Sequence, residues 1–153
     1  MTQKITPFLW FNDNAEEAID FYVSIFPNSE VLSVNRLPDG KVITGSLRLA
    51  GQELMVLNGG PMFTFTEAFS LFVNCQTQEE VDELWEKLIE DGGEPGRCGW
   101  LKDKYGLSWQ IIPTALGTLM GDPDPERANR VMQAMLGMDK IDIAGLQHAY
   151  DGA

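Results

Sequence analysis

The segment that decides the fold is residues 99–113, GWLKDKYGLSWQIIP. It predicts a hairpin, because residues Asp103 to Gly106 are turn formers and the glycine can adopt a positive φ. Residues Leu107 to Ile112 then alternate as a half-buried strand does. Trp109 and Gln110 would therefore face opposite sides of that strand. We expect this hairpin to supply the last strand of a duplicated sheet.

The composition is typical of a globular protein, with 153 residues, 44% hydrophobic and 22% charged. This length suits one domain with a sizeable core, or two small modules sharing one. The 11 Lys and Arg residues against 23 Asp and Glu give a net charge of −12, which repels phosphate backbones and anionic lipids. We therefore expect neither nucleic acid nor membrane partners. No signal-like start or spanning apolar run is present, which predicts a cytoplasmic protein.

The cysteines and the single histidine do not form a metal-binding pattern. Cys75 and Cys98 are far apart and form no CxxC motif, so we expect free thiols in a reducing compartment. His148 cannot complete a zinc site with them, and we expect it at the surface or at an interface. Paired acids such as Glu16 and Glu17 fall on helix faces, where a solvated surface is the expected role. No catalytic residue is assigned.

The first part of the chain predicts the order β-α-β-β-β. Asn14 and Glu17 have capping-box spacing at the start of an amphipathic helix, which Pro27 ends. Short turns such as Pro38-Asp39-Gly40 separate the later strands. The predicted strands are Ile5–Phe11, Glu30–Leu37, Lys41–Leu49 and Gln52–Leu57.

The same order then repeats. A shift of about 62 positions superposes identical residues, for example Leu9 on Leu71 and Asn12 on Asn74. Thr77 and Glu80 form a second capping box. The strands of this copy are predicted at Phe69–Cys75, Glu94–Cys98, Trp100–Lys102 and Leu107–Ile112. The sequence predicts an α+β fold in which two βαβββ modules, about 1–60 and 68–114, form a curved mixed sheet around a shared cleft.

Residues 115–153 are predicted to form a helical C-terminal extension. Pro125 marks the start of one helix, whose apolar stripe includes Val131 and Met135, and a shorter helix begins near Asp142. A methionine-rich stripe is most often a packing face, and self-association is the function it favours here. We expect a homodimer.

Strand alternation places the candidate site on the cleft side of both modules. Thr6, Phe8 and Trp10 would face the cleft. The shift carries them onto Ala68, Ser70 and Phe72, and matching the closing strands pairs Met55 with Gln110. Aromatic walls with few polar groups are typical of a small-molecule site, and equally of an under-filled core face. The candidate ligand-binding residues are Thr6, Phe8, Trp10, Met55, Ser70, Phe72, Trp100 and Gln110.

Several motifs resemble one superfamily. The duplicated βαβββ order, the Phe21-Tyr22 pair and the segment from Asp103 to Gln110 resemble the vicinal oxygen chelate superfamily of glyoxalase I, extradiol dioxygenases, and bleomycin and fosfomycin resistance proteins. Residues 7–11 (PFLWF), 98–100 (CGW), 106–110 (GLSWQ), 130–135 (RVMQAM) and 140–142 (KID) resemble its PhnB-like branch. Some members of that branch are labelled 3-demethylubiquinone-9 3-methyltransferase.

The resemblance implies metal positions on the first and last strand of each module. Carried over to this chain, they are Thr6, Met55, Ala68 and Gln110. Only the glutamine could coordinate a metal well, so the chain departs from the metal pattern and we expect neither a metal nor a cofactor.

Three functions remain open. The first is a metal-free binder of a small hydrophobic or aromatic molecule. The second is an enzyme that uses a metal recruited through Gln110, or an unseen proton relay. The third is the methyltransferase of the branch label, although Gly59-Gly60 is not followed directly by the helix that a Gly-rich cofactor turn requires.

Overall fold

The computed structural model describes residues 3–152 and contains eight strands and five helices in that range. The chain divides into two compact units, the first ending at Phe65 and the second beginning at Thr66. The first unit contains β1 (Phe8–Phe11), α1 (Ala15–Ile25), β2 (Glu30–Arg36), β3 (Val42–Leu49) and β4 (Gln52–Asn58). The second unit contains β5 (Ser70–Cys75), α2 (Gln78–Ile89), β6 (Glu94–Pro95), β7 (Trp100–Lys102), β8 (Ser108–Pro113), α3 (Thr114–Met120), α4 (Pro125–Leu136) and α5 (Ile143–Asp151).

The first unit is a four-stranded mixed sheet with one helix on it. Its strand order is β1-β4-β3-β2, with β1 parallel to β4 and the other pairs antiparallel. Alternate strand residues such as Leu9, Leu47 and Val56 are buried, as are Ile19 and Tyr22 of α1. The helix therefore covers one face of the sheet and leaves the other face without a helical cover from this unit.

The second unit repeats this topology. Its strand order is β5-β8-β7-β6, again with the first strand parallel to the last. Leu101, Trp109 and Ile111 of the sheet are buried on the α2 side, together with Val81 and Leu88 of the helix. The predicted α+β fold built from two βαβββ repeats is confirmed, with the strands in two four-stranded sheets.

The two helix starts differ. Thr77 accepts a hydrogen bond at its hydroxyl from Glu80 N (3.1 Å), so the predicted N-cap is confirmed. The reciprocal bond differs from a capping box by one residue, because the Glu80 carboxylate accepts from Gln76 N (2.7 Å). The first predicted cap is wrong, because the Asn14 side chain makes no capping hydrogen bond. Asn58, at the end of β4, accepts from Ala15 N instead (2.9 Å).

The first strand of each unit begins later than predicted. Ile5 is 83% exposed and, like Thr6, lies before β1, which starts at Phe8. Ala68 lies in an exposed turn before β5, where its N–H donates to the Thr66 hydroxyl (3.2 Å). Thr6 and Ala68 are therefore not strand residues, and the predicted strand start at Ile5 is wrong.

The C-terminal helices pack on the second unit. A buried cluster joins Ile112 at the end of β8 to Val131 of α4 and Leu146 of α5, with Met135 and Met138 partly buried against it. The packing role expected for the methionine stripe is confirmed for Val131 and Met135. The helix α3 is an element that the sequence did not separate. None of the helices within residues 3–152 has the length and apolar character needed to cross a membrane.

Gln78, at the start of α2, links this extension to the repeat. Its amide nitrogen donates to Ile141 O (3.0 Å), and its amide oxygen accepts from Ile143 N (2.7 Å). Lys140 also pairs with Asp82 of α2 at 2.8 Å. The extension is thus fixed to the helix of the second unit by polar contacts as well as by apolar packing.

Candidate functional site

A buried aspartate shapes the hairpin that carries Gln110. The Asp103 carboxylate, 2% exposed, accepts hydrogen bonds from Tyr105 N (2.9 Å), Leu107 N (3.1 Å) and the Trp109 indole N–H (2.9 Å). These bonds fix the turn between β7 and β8 and hold the tryptophan under the sheet. The side chain of Gln110 consequently points to the opposite face.

An aromatic row crosses the free face of the second sheet. Gln110 is the Cα partner of Phe72 on one side and of Trp100 on the other, so the three side chains share one face. Phe72 is 54% exposed, and Gln110 and Trp100 are half-buried. The Gln110 amide nitrogen donates to the Ser70 hydroxyl (3.0 Å). Four of the eight predicted site residues therefore lie together, with a polar group between two rings.

The first unit brings Phe8 and Met55 together as Cα partners, and both are partly exposed. Trp10 is held by its own unit: its indole N–H donates to Gly60 O (2.9 Å), and Phe63 packs edge-on against it at 5.0 Å between centroids. A Cβ added at Gly59 would lie 2.4 Å from the indole ring, so only glycine fits there. Loop contacts that the sequence did not indicate thus position Trp10.

The strand register corrects the equivalence drawn between the two copies. Met55 pairs with Phe8, whereas Gln110 pairs with Phe72. If Met55 is equivalent to Gln110, their strand partners Phe8 and Phe72 are also equivalent. The shift of 62 positions instead places Trp10 on Phe72, so the two alignments of the repeats differ by two residues. Two residues preserve the face of a strand, so the side-chain directions predicted for these positions stand although their pairing does not.

The residues at the implied metal positions do not suit a metal. Thr6 and Ala68 lie outside the strands, and alanine has no ligand atom. Met55 offers a soft thioether, and the Gln110 amide, whose nitrogen donates to Ser70, has an oxygen as the one good ligand atom of the four positions, which is fewer than a metal site needs. Within residues 3–152, no three His, Cys, Asp or Glu side chains are grouped as metal ligands.

A pocket of about 410 Å³ adjoins the aromatic row on the β6 side. Its lining residues are Glu67, Glu94, Pro95, Gly96, Arg97, Trp100, Leu101, Lys102 and Ser108. Lys102 and Glu67 form an ion pair (2.6 Å). This hydrogen bond and the accompanying charge attraction lower the pKa of the Glu67 carboxyl and raise the pKa of the Lys102 ammonium.

The sequence patterns did not indicate this pocket. Strand alternation indicated one of its residues, because Ser108 lies two positions before Gln110 and so faces the same side of β8. The contributions of Glu67, from a turn, and of Arg97, from the loop after β6, depend on how the chain folds back over the sheet.

Comparison with known protein families identifies the chain. A family described as 3-demethylubiquinone-9 3-methyltransferase matches residues 3–112. The chain belongs to this family. The match ends at residue 112, so the tail segments 130–135 and 140–142 lie outside it. None of the curated proteins matches the chain at a significant level.

Solved structures agree with this PhnB-like assignment. A PhnB protein from Bacillus cereus, carrying the same methyltransferase description, is 42% identical over 72% of this chain and 99% of its own, with a TM-score of 0.68. A Pseudomonas aeruginosa protein is 20% identical over 73% and 98% of the two chains, with a TM-score of 0.59. The fosfomycin resistance protein FosX from Listeria monocytogenes, complexed with Mn(II) and sulfate, is 19% identical over 71% and 90%, with a TM-score of 0.53. The last two share the fold.

Proposed function

We propose that this PhnB-like protein binds a small hydrophobic or aromatic molecule without a metal, on the free face of its second sheet. The arrangement of Phe72, Gln110 and Trp100 in one cross-strand row supports the proposal. Two rings separated by the width of one strand can contact a flat apolar ligand. Gln110, oriented by Ser70, supplies a hydrogen-bonding group that fixes how the ligand lies.

The proposal also includes the candidate residues of the first unit, each described within that unit. Phe8 and Met55 form an adjacent apolar pair, and the loop positions Trp10. Thr6 precedes this strand and supplies a hydroxyl. The shared cleft anticipated from the sequence remains a prediction.

Calorimetric titration with 2-naphthol, a neutral aromatic alcohol, tests the proposal. We expect Phe72→Ala, Trp100→Ala and Gln110→Ala each to weaken binding by about tenfold, because each removes a ring contact or a polar contact. Phe69→Ala is the matched control, since Phe69 is also partly exposed in this unit but lies before β5. Equal affinity in the parent and in all three site variants would reject the proposal.

Trp10→Ala tests the contribution of the first unit. A loss of affinity comparable to that of Trp100→Ala would support a ligand contact by both units. If the variant binds every aromatic probe as tightly as the parent, the indole of Trp10 has only the structural contacts described above.

The family description favours a second candidate, a methyltransferase. This function requires binding of S-adenosylmethionine, which calorimetry would detect. No heat at millimolar cofactor would eliminate it. Elemental analysis of protein purified without a chelating tag addresses the metal-dependent enzyme, because stoichiometric metal that is lost in Gln110→Ala would favour it over a metal-free binder.

We also propose that the protein is a cytoplasmic homodimer. The exposed Leu136 on α4, at 49%, supplies part of an apolar surface for self-association. Sedimentation velocity at high protein concentration tests the dimer, and a monomer there would overturn it.

A further inference from the structure

The pocket beside β6 contains a buried hydroxyl group that has no hydrogen-bond partner among the described residues. Ser108 lines the pocket and is 1% exposed, and its Oγ makes no hydrogen bond within the part of the chain that the structure describes. Buried side-chain polar groups nearly always have a hydrogen-bond partner, so an exception calls for an explanation. A hydroxyl without a partner at the base of a pocket is suited to bind a polar group of a ligand.

Of the two cations that line the pocket, one has no ion-pair partner in the described part of the chain. Lys102 pairs with Glu67 and is the Cα partner of Glu94, whose charge also raises the pKa of the lysine. Arg97 lines the same pocket, and within residues 3–152 no carboxylate lies within 4.0 Å of its guanidinium. The lining holds two cations, Lys102 and Arg97, and two carboxylates, Glu67 and Glu94, so its charges balance. Among the described residues the Arg97 guanidinium has no carboxylate partner, and it is therefore the group that can pair with an anionic ligand group.

The Lys102–Glu67 ion pair is exposed, so its two side chains can separate. Ser108 has Lys102 and Ser70 as its Cα partners, and Glu67 precedes Ser70 by three residues. The Lys102–Glu67 pair thus joins the segments on either side of Ser108. Its side chains are 40% and 62% exposed, and exposed ion pairs contribute little to stability and exchange readily. A ligand carboxylate can take the place of Glu67 on Lys102.

We propose that this pocket binds the carboxylate of an aromatic acid, paired with Arg97 and Lys102 and hydrogen-bonded by Ser108, while the ring of the acid contacts Trp100. The inference rests on the proposed function, because Trp100 belongs to both the pocket and the aromatic row. It adds the chemical class of the ligand, since a carboxylate is a group that an arginine fork and a hydroxyl donor can bind together.

Calorimetry with benzoate, benzyl alcohol and benzylamine tests the inference. We expect benzoate to bind at least about tenfold more tightly than the other two probes, and Arg97→Gln and Ser108→Ala to lose about five- to tenfold in benzoate affinity. Glu67→Gln should bind benzoate several-fold more tightly, because it removes the competing carboxylate. A merely structural role for the ion pair would not produce this gain. Arg36→Gln, in the first unit, is the matched control for a lost positive charge.

The outcomes separate the two proposals. Equal affinity for the three probes, or no heat from benzoate at millimolar concentration, overturns the carboxylate pocket. Benzoate binding that is lost in Phe72→Ala but unchanged in Arg97→Gln and Ser108→Ala also overturns it, while the proposed function stands. Binding that is lost in Arg97→Gln and unchanged in Phe72→Ala supports the pocket and overturns the aromatic row as the ligand surface.

Discussion

Asp103 shows how one buried residue determines the geometry of the site. Asp103→Ala leaves the N–H groups of Tyr105, Leu107 and Trp109 without the acceptor they have in the parent. We expect it to lower the free energy of unfolding by about 3 kcal/mol or more. Asp103→Asn should cost less than the alanine variant, because its remaining oxygen can still accept from the turn.

Urea denaturation measures both variants. Asp39→Ala is the matched control, since Asp39 accepts from Lys41 N (2.9 Å) in an exposed turn, and a loss of less than about 1 kcal/mol is expected there. A parent-like midpoint for Asp103→Ala would show that the hairpin does not depend on this carboxylate.

For Ser108 we expect the opposite effect of an alanine substitution on stability. Because its buried hydroxyl has no hydrogen-bond partner among residues 3–152, Ser108→Ala should leave the stability unchanged or raise it by up to about 1 kcal/mol. Ser46→Ala is the control, because Ser46 shares a hydrogen bond with Ser33 (2.7 Å) and should lose about 0.5 kcal/mol. Thermal denaturation of the unliganded variants gives the comparison. A clear loss of stability in Ser108→Ala would mean that the hydroxyl has a structural role.

Among the helices and strands, the sequence patterns predicted the features that depend on residues close together in the chain. Alternation placed Gln110 opposite Trp109, and the Thr77–Glu80 spacing identified a true cap. The pattern failed at α1, where Asn58, 43 residues along the chain, takes the capping role from Asn14. The start of β1 was also misplaced, because the paired register of β1 with β4 begins at Phe8, after Pro7. The pocket combines a turn, a loop and two strands, and no local pattern encodes such a combination.

The two helix starts provide a matched test. Thr77→Ala should destabilise the protein by about 1 kcal/mol, because it removes a capping acceptor. Asn14→Ala should cost less than about 0.5 kcal/mol, since no capping bond is lost. Asn58→Ala should resemble the threonine variant, as its amide serves both Ala15 N and Val42 O. Chemical denaturation ranks the three, and equal losses for Asn14→Ala and Thr77→Ala would contradict the capping assignment.

For the whole molecule, the cysteines link stability to alkaline pH. Burial, and secondarily the charge of Glu80, raises the pKa of the Cys75 thiol to about 12. The Cys75 thiol ionises near pH 9 in the unfolded chain but stays neutral there in the folded chain. The stability that is present below pH 9 should therefore fall as the pH rises from about 9 to 12, by up to about 1.4 kcal/mol per pH unit. Cys75→Ala should show a shallower decline.

Cys98→Ala is the control for that decline, because Cys98 is only partly buried. Thiol labelling of the parent provides a second measurement. Cys98 should react under native conditions, whereas Cys75 should react only when the chain opens. Rapid native labelling of both would contradict the enclosed thiol.

The sequence predicted the architecture of the molecule better than the chemistry of its surfaces. Repetition, turns and apolar spacing act over short stretches, and these predicted both sheets. The interactions that tie the extension to the second unit, such as those of Gln78 with Ile141 and Ile143, join residues more than sixty positions apart. Because any amide side chain could make such bonds, the sequence alone does not indicate which one does.

The parallel pairing of the first and last strand in each unit has a consequence for synthesis. The strand pairing of Phe8 requires Met55, and that of Phe72 requires Gln110, so neither sheet can form until its last strand has been synthesised. On the ribosome, β1 therefore emerges without its partner strand and stays unpaired until β4 has left the exit tunnel. The nascent chain would then assemble in two stages, one for each unit, and a pause in translation placed after the first stage would give that unit time to close before its repeat appears.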